Sequence, residues 1–207
     1  MKKVLRIVIT GGPCAGKTTA LNELQKMLEE NGYQVIISNE TATQMIEANL
    51  IPDKSIDLRT FQKLILDMQL AKENALLEAA NSPLSNNKVA IIYDRGIFDN
   101  RAYIPHEIFK EFMDEIGLTE RMILDRYDLI IHMVSTAYDK PEAYKQEGAR
   151  LEDIKGALEV EKRTLLAWPN TKKKYIVYND GTFKDKIERV KNIIKNNINP
   201  KTKKRIK

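Results

Sequence analysis

The stretch Ile7-Val8-Ile9-Thr10-Gly11-Gly12-Pro13-Cys14-Ala15-Gly16-Lys17-Thr18-Thr19 constrains the fold more than any other part of the chain. It runs from an apolar strand through a glycine-rich turn into the start of a helix, with the spacing G-x-x-x-x-G-K-T of a phosphate-binding loop. The residue types suit that chemistry. Glycine lets the backbone curl until several N–H groups converge on one phosphate, and the positive end of the following helix lies beneath the same phosphate. Gly11, Gly12, Pro13, Cys14, Ala15, Gly16, Lys17, Thr18 and Thr19 are therefore the expected nucleotide-binding residues. Lys17 reaches the outer phosphates as a point charge, and the Thr18 hydroxyl is an expected Mg²⁺ ligand.

The rest of the pattern supplies the sheet that such a loop needs. Apolar strands expected over residues 3–10, 33–38, 88–93, 128–134 and 174–178 alternate with helical patterns over 18–30, 39–48, 58–80, 151–168 and 182–196. Shorter helices are expected near 97–103, 106–116 and 119–126, and an irregular polar segment over 135–148. Alternation of this kind predicts an α/β fold, a parallel sheet with helices on both faces. The 207 residues fit one domain over 1–196, with a helical lid at about 135–168 and a basic tail at 197–207.

Composition narrows the setting. No apolar run approaches the ~20 residues needed to cross a bilayer. The phosphate loop begins where a signal-peptide cleavage site would fall, so a cytoplasmic protein is expected. The single cysteine, Cys14, excludes an internal disulfide and any multi-cysteine metal site. The net charge of +5 is matched by five basic residues at 201–207, so the remainder is close to neutral. That end reads as a solvated tail rather than a nucleic-acid or membrane contact.

In parallel sheets the ligand lies at the C-terminal tips of the strands. Asp94, after the third strand, is placed to reach the Mg²⁺ shell. Its successor is Arg95, where hydrolytic motors carry a water-activating Glu, which favours phosphoryl transfer to an acceptor other than water. Glu40, after the second strand, sits where a carboxylate would take the proton of an acceptor hydroxyl. Arg95 would clamp the acceptor or the transferring phosphate. In the lid, Lys145, Arg150, Lys155 and Arg163 are candidates to neutralise transition-state charge, with Arg150 foremost. Gln62 and Gln69 face either the acceptor or solvent, and Asp99 and Tyr103 are open in the same way. His132 reads as a core histidine with a satisfied hydrogen bond, His106 as a helix-start residue, and Trp168 as a cover for the end of the lid helix.

Three stretches together carry a family resemblance: Thr10–Thr19, then Tyr93-Asp94-Arg95-Gly96 running on to Ala102-Tyr103, then Tyr127-Asp128-Leu129-Ile130-Ile131-His132 with the helix from Arg150 to Trp168. The chain resembles the P-loop domain shared by the nicotinamide riboside kinase part of a bacterial NAD-biosynthesis regulator and an animal trafficking protein named for a translocation defect. This is an AAA-type, nucleoside-kinase-like ATP-binding domain. The resemblance implies sheet order 2-3-1-4-5, Glu40 and Asp94-Arg95 as the acid and the Asp-Arg pair of those kinases, and a lid over 135–163. The expected activity is an ATP- and Mg²⁺-dependent kinase acting on a nucleoside-like hydroxyl, with Lys17, Glu40, Asp94, Arg95 and Arg150 as its catalytic residues. The alternative is a nucleotide switch, using ATP or GTP, with slow hydrolysis and a protein or membrane partner. Neither the acceptor nor the oligomeric state follows from these residues.

Overall fold

Continuous apolar runs become strands here because both faces of the sheet are covered. The computed structural model describes residues 4–85, 88–139 and 154–198. Within them β1 (Val4–Thr10), β2 (Gln34–Ser38), β3 (Val89–Asp94), β4 (Leu129–Met133) and β5 (Lys174–Val177) pair in parallel in the order β2-β3-β1-β4-β5. This is the order expected above.

The register sorts the strand side chains into two cores. Val8 lies beside Tyr93 and Ile7 beside Ile92, so successive residues of β1 serve opposite faces. Val8, Ile91, Tyr93 and Ile130 enter one core with Leu66 of α3 (Leu58–Ala80), Phe98, Trp168, and Phe109 and Phe112 of α4 (His106–Glu115). Ile7, Ile9, Ile92, Ile131 and Met133 enter the other with α1 (Lys17–Glu30) and α8 (Phe183–Ile198). Each such fully buried side chain contributes about 1.5–3 kcal/mol. α2 (Thr41–Glu47) and α5 (Glu120–Leu124) are short connectors.

The short helix expected near 97–103 is a 3-10 helix, Ile97–Ala102. Its geometry is set locally: Asp99 accepts from the Gly96 N–H at 2.7 Å, and Asn100 donates to the Ile97 carbonyl at 2.9 Å. After β4, where an irregular segment is expected, Thr136–Asp139 closes a short helix, α6, whose Ala137 N–H donates to Ser135 Oγ at 3.2 Å. α7 (Ile154–Ala167) follows, ended by Pro169. Residues 140–153 of the expected lid, with Lys145 and Arg150, and the tail beyond 198 lie outside the described residues.

Candidate functional site

The loop between β1 and α1 is shaped by its neighbours. Gly11 adopts φ +137°, and a Cβ there would lie 2.0 Å from the Met133 carbonyl oxygen, so only glycine fits against β4. Every carbonyl from Gly11 to Ala15 accepts a hydrogen bond. Lys17 Nζ donates to Gly11 and Gly12 at 3.0 Å each, Ser135 Oγ to Pro13, Thr136 Oγ1 to Cys14 at 3.2 Å, and Lys186 Nζ to Ala15 at 2.9 Å. Oxygens held this way fix the curl of the loop before any ligand arrives. Gly16 is the N-cap of α1 and supplies no side-chain cap, leaving the positive helix end toward the loop.

Beside the loop stand three acids and two further cations. Arg95 takes a left-handed backbone, φ 70°, at the tip of β3. That turn sends its guanidinium back over the loop, where Nε donates to Glu40 Oε1 and NH1 donates to the Gly11 carbonyl at 3.3 Å. Asp99 lies 3.9 Å from the same guanidinium and accepts from the Thr10 hydroxyl. Lys72, from α3, donates to the Asn39 carbonyl at 2.7 Å and to Gln44 at 2.8 Å, fixing the backbone just before Glu40.

The charges respond to this crowding. Burial pushes the Glu40 carboxyl up. The Arg95 guanidinium, the Lys17 ammonium and hydrogen bonds from Arg95 and Thr43 outweigh it and hold the carboxyl well below its ordinary 4.5. Asp94 goes the other way: burial and the neighbouring Glu40 raise it above 3.8 despite Lys17 and Arg95. Its Oδ1 is buried with no hydrogen-bond partner among the described residues. Burial likewise pushes the Lys72 ammonium down against the pull of Glu73 and Asp94. Lys17 thus acts on Glu40 and Asp94 together, so loop and strand tips form one electrostatic site.

The sequence matches the model of a family described as an AAA domain over residues 6–186. The chain belongs to the AAA domain family. Nucleotide and Mg²⁺ binding go with a P-loop domain of this kind in general. A search of curated proteins finds no significant match.

In this AAA domain the orphaned Asp94 oxygen fits a cation, and exposed Thr18 starts α1 as such a ligand should. No group of three or more His, Cys, Asp or Glu that could hold a metal occurs among the described residues. Two protein ligands, with phosphate and water completing the shell, is how Mg²⁺ is commonly held beside a nucleotide. Lys155 is exposed, and Arg163 is half-exposed and 3.8 Å from Glu159. Gln62 and Gln69 are buried rather than solvent-facing, and Gln69 donates to the Arg95 carbonyl at 3.3 Å. Trp168 is buried, packing on Phe98 and Tyr127 under Gly96. His106 opens α4. His132 is fully buried, its Nε2 2.8 Å from Glu161 Oε1, whereas Nδ1 has no partner among the described residues.

Sequence reasoning missed Glu161, Lys186, Ser135 and Lys72 as parts of the site. A signal existed for two of them. Glu161 shares the stripe of Ala157, Val160, Thr164 and Ala167, and Lys186 that of Ile187, Val190 and Ile194. A charge on an apolar stripe is a buried charge that must have partners.

Proposed function

We propose that this AAA domain is an ATP- and Mg²⁺-dependent kinase that phosphorylates a hydroxyl of a nucleoside-like small molecule. The observation that carries the reading is the joint field of Lys17 on Glu40 and Asp94, with Arg95 bridging Glu40 to the phosphate loop. The loop amides and Lys17 hold the phosphates. Thr18 and Asp94 hold Mg²⁺, which supplies charge neutralisation when bound. The acceptor oxygen attacks the γ-phosphorus, the bond to the β-γ bridging oxygen breaks, the nucleoside diphosphate leaves, and the hydroxyl proton passes to Glu40.

The depressed Glu40 suits this step. It is ionised throughout the neutral range and only accepts hydrogen bonds. Phosphoryl transfer through a loose transition state asks for positioning more than for a strong base. As Arg95 is drawn toward the charge developing on the transferring group, Glu40 loses its partner and gains basicity. The position after Asp94 holds a cation rather than a water-activating acid, which supports an acceptor other than water.

The test is a screen of the purified chain with labelled Mg–ATP against nucleosides and vitamin ribosides. A phosphorylated acceptor is expected. Glu40→Gln should lower its formation by about 10²–10⁴-fold, the usual contribution of a positioned base, while ATP binding persists. Nucleotide hydrolysis with no phosphorylated acceptor, unchanged in Glu40→Gln, would replace the kinase with a nucleotide switch.

A further inference from the structure

We propose that Glu161 is a positioning residue for the phosphate loop, locking the peptide unit between Gly11 and Gly12 on which Lys17 and Arg95 are both seated. The inference rests on the nucleotide reading of the loop.

One peptide unit is held at both ends. Its oxygen, the Gly11 carbonyl, accepts from Lys17 Nζ at 3.0 Å and from Arg95 NH1 at 3.3 Å. Its nitrogen, the Gly12 N–H, donates to Glu161 Oε2 at 2.7 Å. A rotation of this unit would take away the seat of both cations that face the phosphates. The other Glu161 oxygen lies 2.8 Å from His132 Nε2 in β4. All three groups are buried. A Cβ on Gly12 would stand 2.5 Å from Glu161 Oε2, so glycine is what lets the carboxylate approach.

A carboxylate satisfies both neighbours at once. Gly12 N–H can only donate, and an ionised Glu161 only accepts, so His132 Nε2 carries the proton of this bond. Burial pushes the Glu161 carboxyl up. Bonds from His132 and from the Gly12 and Ser135 backbone more than offset that, so it is ionised at neutral pH. A glutamine has one acceptor and one donor. In Glu161→Gln its amide N–H₂ must face either the Gly12 N–H or the His132 Nε2–H, unless the imidazole changes tautomer. An apolar pair would avoid the desolvation of both groups but would leave the buried Gly12 N–H without an acceptor, so the binding measurement is what separates a role in the loop from a role in folding.

The test compares the wild-type chain with Glu161→Gln, using Glu159→Gln on the exposed side of the same helix as control. Calorimetry measures the Mg–ATP Kd, thermal melts report folding, and ¹⁵N NMR follows the Gly12 amide and the His132 ring. Expected are a Kd weaker by about tenfold, the scale of one charge-assisted hydrogen bond, a Tm lower by a few degrees with a cooperative melt retained, a shifted Gly12 amide with faster hydrogen exchange, and an unchanged control. An unaltered Kd overturns the role. Should Glu161→Gln not fold, two measurements stand in for it. Wild-type Gly12 must exchange slowly, and exchange at the rate of an open loop overturns the contact. His132→Gln, which keeps a donor toward Glu161, must bind Mg–ATP within about twofold of wild type, since it spares the Gly12 bond; a tenfold loss there moves the role to His132 and overturns the assignment. A wild type that binds no Mg–nucleotide removes the nucleotide reading itself, whereas tight wild-type binding with an indifferent Glu161→Gln removes only the role of Glu161.

Discussion

Asp94 and Glu40 are neighbouring acids with opposite shifts, and each gives a test at the scale of a single residue. Asp94 is raised, so its ionised form costs stability above its folded pKa, and that cost vanishes as pH falls below the unfolded value of 3.8. Asp94→Asn should therefore raise Tm at pH 7. The gain should fade on acidification, and Mg²⁺-dependent nucleotide affinity should fall. Glu40 is lowered, so its pairing with Arg95 contributes stability above its unfolded value of 4.5 that is lost as pH falls toward the folded pKa. The Tm gap between wild type and Glu40→Gln should be widest at neutral pH and narrow in acid. Both curves need only thermal melts between pH 3 and pH 8. These acids were legible in the sequence because Asp94 ends a strand and Glu40 follows just after one, where the α/β fold places its ligands. Their opposite shifts were not, because Arg95, one step along the chain from Asp94, reaches across to Glu40.

At the scale of elements, α7 joins the two halves of the site. Glu161 meets the phosphate loop, and just past the helix end Trp168 lies under Gly96, beside Asp94 and Arg95. A Cβ on Gly96 would stand 2.7 Å from Trp168 Cη2. Gly96→Ala should cost about 1–3 kcal/mol by overpacking, and Trp168→Phe in the same chain should recover part of it. Urea denaturation of the single and double variants measures the coupling. The helix itself was plain from its apolar spacing and from Pro169. Its partners were not, because the Gly12–Glu161 contact spans 149 positions of sequence and no local pattern encodes such a distance. The sequence predicts a short helix near 97–103 without fixing its kind, and the structure makes it 3-10. Composition suits either, and the choice was made by Asp99, pinned between the Gly96 N–H and Thr10.

For the whole molecule, a parallel sheet follows from alternating strands and helices, whereas its strand order, β2-β3-β1-β4-β5, is what the family resemblance implies. A ligand that binds only the folded chain stabilises it by mass action. At about a hundred times its Kd, Mg–ATP should add ~2.7 kcal/mol, a Tm rise of roughly 5–10 °C for a domain of this length. Lys17→Ala should abolish the rise, which differential scanning fluorimetry reads directly. No described helix is long and apolar enough to cross a membrane.

The outward tethers on Pro13, Cys14 and Ala15 have a consequence for portability. Ser135, Thr136 and Lys186 come from beyond β4 and from α8, more than a hundred positions downstream of the residues they restrain. The octapeptide from Gly11 to Thr18 therefore does not carry its own shape. Transplanted into a foreign strand–helix joint it would keep its letters and lose its cup, and a designer borrowing it would have to bring those three distant anchors along.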